Sequence, residues 1–126
     1  MKSVILKLDT VSDGVTVSIN DKVFFEPTPD KKQKDKLVNS VVMRAMDALG
    51  LGFPDITEYE VVVGLGSWTG ARVGVAVIKA YYMAHPRPIT ALLNDGTVVA
   101  TNLSAKSLQP LYDKEFCVAN KTCGLV

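Results

Sequence analysis

The stretch Gly64-Leu65-Gly66-Ser67-Trp68-Thr69-Gly70 decides how this chain folds, because it separates a short apolar segment from a long one. Residues 59–63 before it are rich in valine, which is typical of a buried strand. Residues 69–84 after it are long enough for a helix and stop at His85-Pro86. A glycine-rich turn between a strand and a helix is where phosphate-binding loops occur, since a helix N-terminus presents free N–H groups.

Neither standard phosphate-binding pattern fits this loop. The dinucleotide fingerprint requires a third glycine five positions after the first, where this chain has Thr69. The P-loop requires Gly-Lys-Ser/Thr, and residues 70–72 read Gly-Ala-Arg. Two interpretations stay open: a tight turn in which Ser67 or Thr69 caps the helix, or a phosphate site.

The helix over residues 69–84 is apolar nearly all round, with Arg72 and Lys79 as its charged residues. Such a helix must be covered on both sides. Gly70 and Gly74 would let a neighbouring backbone approach closely. The cover is either the rest of the chain or another subunit, and the sequence favours the subunit.

The remaining segments predict a mixed sheet. Strands over residues 4–9, 15–19 and 23–26 form a meander, and a helix with Thr28 and Pro29 at its start spans the apolar positions between 37 and 49. Asn94-Asp95-Gly96 predicts a hairpin between residues 89–93 and 97–101, and Ser104 caps a short helix over 105–112. The order is β-β-β-α-β-α-β-β-(α), which is typical of an α/β sheet with crossover helices.

Composition limits the function. The 126 residues fit one domain, and the net charge of +1 creates no long-range field that would attract nucleic acid or an anionic membrane.

We expect a cytoplasmic protein with no direct membrane contact, because the first residues do not resemble an export signal and no apolar run reaches the length of a membrane span. Cys117 and Cys123 are then expected to be reduced thiols, with a disulfide as the alternative. No Cys/His cluster or carboxylate pair indicates a metal, a cofactor or a catalytic residue.

Residues 5–10, 55–63 and above all 64–74 resemble the TsaB (YeaZ) family, whose pattern is close to Gly-x-Gly-Pro-Gly-Ser-Phe-Thr-Gly-Leu-Arg-Ile-Gly. Leu65 and Trp68 stand where the family has proline and phenylalanine. The resemblance covers roughly residues 3–93. It implies a single actin/Hsp70-like (RNase H-like) lobe over residues 1–103 with a mixed five-stranded sheet (β-β-β-α-β-α-β). The hairpin and a short helix are expected to extend this lobe at its C-terminal side, with residues 104–126 forming the short helix and an irregular tail and the family's second lobe absent.

The resemblance implies a non-catalytic scaffold subunit in the synthesis of threonylcarbamoyladenosine (t6A) in tRNA, with indirect or weak contact to the tRNA itself. Such a subunit docks to a TsaD-like threonylcarbamoyltransferase through its two helices, recruits a TsaE-like ATPase, and forms homodimers when alone. The residues expected at the partner interface are Met43, Met46, Gly70, Ala71, Arg72, Gly74, Val75, Ile78, Lys79 and Tyr82.

The alternative hypothesis is a small phosphate- or nucleotide-binding enzyme that uses the 64–70 loop, with Asp9 holding a metal ion. Its binding residues would be Asp9, Gly66, Ser67, Thr69 and Gly70.

Overall fold

A computed structural model describes residues 3–11, 14–27, 34–64 and 68–108. Its strands are β1 (Ile5–Asp9), β2 (Val15–Ile19), β3 (Lys22–Glu26), β4 (Glu58–Gly64), β5 (Ile89–Leu93) and β6 (Val98–Leu103). Its helices are α1 (Lys34–Leu49), a 3₁₀ turn at Phe53–Asp55, and α2 (Trp68–Ala84). None of the helices in these ranges is long and apolar enough to cross a membrane.

The six strands form one mixed sheet in the order β3-β2-β1-β4-β5-β6. The first three strands are the predicted antiparallel meander, while β4 runs parallel to β1 and β5 runs parallel to β4. Because both crossovers through α1 and α2 move in the same direction across the sheet, right-handed connections place both helices on one face. The predicted α/β architecture is confirmed.

The predicted sheet of five strands is one strand too small. The hairpin at Asn94-Asp95-Gly96 forms as predicted, with Gly96 at a φ of 92° and its N–H donating to the Leu93 carbonyl at 3.0 Å. Its second arm, β6, pairs antiparallel with β5 and so belongs to the main sheet. When the first strand of a hairpin lies in a sheet, the second strand extends that sheet, because it forms hydrogen bonds with the unpaired backbone N–H and C=O groups of the first.

The hydrophobic core lies between the helices and the face of the sheet they cover. Alternate strand residues point into it, and the helices contribute one apolar face each. Its fully buried members include Leu6, Leu8, Val17, Tyr59, Val61 and Ile89 from the strands and Val38, Val42, Ala45, Met46 and Ile78 from the helices.

After β6 the chain turns back onto this core. Residues 105–107 form a turn in which the Ser104 N–H donates to Ser107 Oγ at 2.9 Å, and the Leu108 N–H donates to the Ser104 carbonyl at 3.1 Å. Leu108 is completely buried. The rest of the predicted 105–112 helix, the predicted cap at Thr28, and the two cysteines lie outside the described residues. The domain boundary after residue 103 stays a prediction.

Candidate functional site

The end of β1 meets the first turn of α2 at a point where only glycine fits. Thr10 is completely buried, and its hydroxyl donates a hydrogen bond to the Gly70 carbonyl oxygen. A Cβ at Gly70 would overlap the Thr10 carbonyl oxygen, and a Cβ at Gly74 would lie 2.6 Å from Thr10 Oγ1 and 3.4 Å from Val61 Cγ2. These glycines were expected to let a second subunit approach; instead they let α2 lie on the chain's own β1.

This junction also contains the described part of the predicted phosphate site. Asp9 is half-buried at the end of β1, and its Oδ1 accepts the Val11 N–H at 3.0 Å. Thr69 and Gly70 belong to the first turn of α2, so the structure brings Asp9 and the helix N-terminus to the same end of the sheet. Gly66 and Ser67 lie outside the described residues. In the described ranges, no three His, Cys, Asp or Glu residues are grouped to hold a metal ion.

The helices expose a second candidate site on the side away from the sheet. On α2 the exposed residues Arg72, Ala76, Ala80 and Met83 follow one another at helical spacing, and α1 adds Met43. We call these five residues the outer helix surface. Met83 is 77% exposed and Met43 is 49% exposed, so each helix presents a large apolar side chain to solvent. On α2, the small side chains of Ala76 and Ala80 would allow a partner helix to approach closely.

The outer helix surface differs from the predicted interface. Of the ten predicted residues, Met43 and Arg72 are exposed and Lys79 and Tyr82 are half-buried. The other six are core positions, because they point from the helices towards the sheet: Met46, Gly70, Ala71, Gly74, Val75 and Ile78. That the helices contact a partner stays a prediction.

Sequence reasoning missed Ala76, Ala80 and Met83. A signal for them was present, since they lie four, eight and eleven residues after Arg72, which was predicted to be at the interface. A helix apolar on every side gives no contrast between its core face and its outer face, so periodicity alone could not separate them.

Aromatic side chains hold the C-terminal end of α2 in place. The fully buried Tyr59 donates from its hydroxyl to the carbonyl oxygens of His85 at 2.8 Å and Tyr81 at 3.3 Å. Tyr81 in turn donates to Asn39 Oδ1 of α1 at 2.8 Å, and its ring centroid lies 4.8 Å from that of Phe53. These contacts fix the spacing of the two helices that carry the outer helix surface.

Burial of these phenols changes their acidity. Desolvation, assisted by the neighbouring Tyr59, raises the pKa of Tyr81 to about 12. Burial also raises the pKa of Tyr59, and the positive charge of Arg87 opposes that shift. Both hydroxyls therefore remain protonated donors at neutral pH.

Comparison with known proteins gives similarity in both sequence and fold. No protein-family model matches the sequence. A tRNA N6-adenosine threonylcarbamoyltransferase from Synechocystis sp. is 33% identical over 85 residues, which cover 67% of this chain and 24% of that relative. The structure of YeaZ from Pseudomonas aeruginosa matches with a TM-score of 0.63 at 22% identity, covering 73% of this chain and 44% of that one.

A second solved structure, described as an uncharacterized protein with similarity to peptidase YeaZ from Pseudomonas aeruginosa, gives the same TM-score of 0.63 and identity of 22%. The chain thus spans 24% of its curated relative and 44% of the YeaZ structures. The predicted resemblance to YeaZ and its actin-like lobe is confirmed at the level of the fold.

Proposed function

We propose that the chain belongs to the TsaB (YeaZ) family and acts as a non-catalytic subunit in t6A synthesis, docking to a TsaD-like threonylcarbamoyltransferase through the outer helix surface. The observation that carries this proposal is the exposure of Met43 and Met83 on two helices whose other faces are packed on the sheet. The YeaZ-like fold and the sequence similarity to a tRNA N6-adenosine threonylcarbamoyltransferase support the assignment to t6A synthesis.

The chemistry of the outer helix surface suits a helical partner. Ala76 and Ala80 form a shallow strip along α2 that admits an apolar helix, and methionine side chains adapt their shape to irregular partners. Arg72 is exposed at one end of this strip, where a polar group at the rim of an apolar contact influences the rate and salt dependence of association more than its affinity.

The proposal places the reaction on the partner. Phosphoryl and carbamoyl transfer depend chiefly on groups that position and neutralise the reacting atoms from several sides. Asp9 Oδ1 already accepts a backbone hydrogen bond, and the Gly70 carbonyl is bonded to Thr10. Both groups therefore have structural roles at the β1–α2 junction.

Reconstitution tests the assignment to t6A synthesis. The TsaD-like and TsaE-like proteins from the same organism would be incubated with ATP, preformed threonylcarbamoyl-adenylate as the activated donor and a tRNA that reads ANN codons, with and without this chain. We expect t6A to form only when the chain is added. Equal t6A formation without it would contradict the proposal.

A phosphate- or nucleotide-binding enzyme remains the second candidate, because a carboxylate at the end of β1 and the N-terminus of α2 lie at one end of the sheet. Calorimetry of the chain alone with ATP and Mg²⁺ distinguishes the two. The scaffold proposal expects no turnover, whereas steady hydrolysis that Asp9→Ala abolishes would favour the enzyme.

A further inference from the structure

We propose that the free edge of β3 pairs with β3 of a second copy of this chain, joining two six-stranded sheets into one continuous sheet. This surface is separate from the outer helix surface, because it is formed by an edge strand rather than by the helices. Strand order places β3 at one end of the sheet, so one side of its backbone has no neighbouring strand among the described residues.

The turn before β3 determines which backbone groups face this edge. Asn20 and Asp21 form a two-residue turn with Asn20 at a φ of 56°, so Ile19 and Lys22 are the pair that closes it with a hydrogen bond. Because hydrogen-bonding direction alternates along an antiparallel strand, the N–H and C=O groups of Val23 and Phe25 point outward. They provide four backbone groups for a further strand.

The sequence of β3 is complementary to itself when read in the opposite direction. In an antiparallel pair centred on Phe24, Val23 faces Phe25 of the second copy and Lys22 faces its Glu26. The outward-pointing backbone groups then form four hydrogen bonds between the two copies. Two opposite-charge pairs also form, each between Lys22 of one copy and Glu26 of the other. Opposite charges on neighbouring strands stabilise the pairing, and like charges there would destabilise it.

Exposed apolar side chains occur along this same edge. Val23 is 65% exposed and Phe25 is 51% exposed, both on the face of the sheet away from the helices. The Phe25 ring lies over Gly14, where a Cβ would be only 2.9 Å from ring atoms Cε1 and Cζ. Pairing would bring two valines and two phenylalanines together and remove part of their surface from water.

The opposite edge of the sheet is irregular. The pairing of β6 with β5 shifts register twice, and Asn102 in β6 has a φ of 54°. Such irregularities are a common protection of edge strands against pairing. In contrast, β3 pairs with β2 in a continuous register over all five of its residues. The regular edge is therefore the one whose charges and apolar residues match a second copy.

Complementary charge variants test the proposal. All of them carry Ala80→Arg, so that association through the outer helix surface does not contribute, and the Ala80→Arg chain is called the parent chain. Lys22→Glu places two carboxylates on each side of the axis, and Glu26→Lys places two ammonium groups there. We expect the parent chain to dimerise at micromolar concentration in sedimentation experiments, and each variant alone to dimerise about tenfold more weakly. An equimolar mixture of the two variants should regain a heterodimer.

Phe25→Asp provides a second disruption that no charge partner restores. Its folding would be verified by circular dichroism, as would that of Glu26→Lys, which also removes the exposed ion pair between Glu26 and Arg44 at 3.1 Å. A parent chain that stays monomeric at high micromolar concentration would overturn the proposal. A dimer whose affinity is unchanged by Lys22→Glu, or variants that fail to associate when mixed, would overturn it too.

Discussion

The Thr10 hydroxyl donates to the Gly70 carbonyl and thereby joins the end of the central strand to the first turn of α2. The same hydroxyl occupies the space that a side chain at position 74 would need. Close contact with Thr10 therefore explains the glycines at both position 70 and position 74 of α2. The orientation of α2, and with it the direction in which the outer helix surface points, depends on this close contact.

Removal of the Thr10 hydroxyl should weaken the fold. Thr10→Val keeps the buried volume but loses the hydrogen bond to Gly70, so we expect a loss of about 1–2 kcal/mol in the free energy of unfolding. Thr10→Ser keeps the hydroxyl and serves as the control, with a smaller loss. Urea denaturation measures both. Equal stability of Thr10→Val and the wild type would show that this hydrogen bond contributes nothing.

Alanine at the two glycines should have unequal effects. At Gly70 the added Cβ overlaps a backbone carbonyl oxygen that cannot move without β1, and we expect a loss of about 3 kcal/mol. At Gly74 the Cβ would lie 2.6 Å from Thr10 Oγ1, and moving this buried hydroxyl would disturb its hydrogen bond to Gly70. The gain of about 1 kcal/mol in helix propensity from alanine offsets only part of that cost. We therefore expect Gly74→Ala to destabilise the fold, but by less than Gly70→Ala.

A double-mutant cycle identifies the atom responsible at Gly74. Thr10→Ala removes the Oγ1 that lies 2.6 Å from the position of the new Cβ. Gly74→Ala should consequently be more favourable in the Thr10→Ala background than in the wild type, by about 0.5–1 kcal/mol. Strict additivity of the two changes would contradict this account of the contact.

Most of the fold could be predicted because its elements carry local signals. The Asn94-Asp95-Gly96 turn and the alternation of β2 specify their hairpins without help from distant residues. The sixth strand was not assigned to the sheet because strand pairing depends on which edge is free after folding. Similarly, the sequence around Gly70 and Gly74 does not predict that these glycines face Thr10, because Thr10 is 60 residues away from Gly70 in the chain.

The Tyr59 hydroxyl should stabilise the end of α2. Tyr59→Phe removes its hydrogen bonds to the carbonyls of His85 and Tyr81 while keeping the buried ring, and we expect a loss of about 1–2 kcal/mol in the free energy of unfolding. Hydrogen exchange at the last turn of α2 should accelerate more than exchange in α1. Unchanged protection of that turn would argue against the role of this hydroxyl.

Alkaline pH should destabilise the protein through Tyr81. Its pKa is raised to about 12 by burial, whereas in the unfolded chain it is close to 10. The unfolded state therefore loses its proton first, so the stability present below pH 10 falls as the pH rises from 10 to 12. Urea denaturation across this range measures the slope, and Tyr81→Phe should make it shallower. An identical slope in the variant would contradict the assignment.

The candidate site was less accessible to sequence reasoning than the fold. Met43 and Arg72 were predicted at the interface and are exposed, but Val75 and Ile78 were predicted there and lie in the core. The difference between the two pairs is their direction from the helix axis, which becomes known only when the position of the sheet is known.

The central claim is that the outer helix surface binds a TsaD-like protein, and the affinity of Ala80→Arg for that protein tests it most directly. Ala80 is exposed in the middle of the surface, so arginine there is compatible with the fold but obstructs a partner helix. The matched control is Thr101→Arg, which adds the same side chain to an exposed position on β6. By isothermal titration calorimetry we expect Ala80→Arg to weaken binding at least about tenfold, which corresponds to about 1.4 kcal/mol, and Thr101→Arg to leave it unchanged. Wild-type affinity in Ala80→Arg, or no binding by the wild-type chain, would contradict the claim.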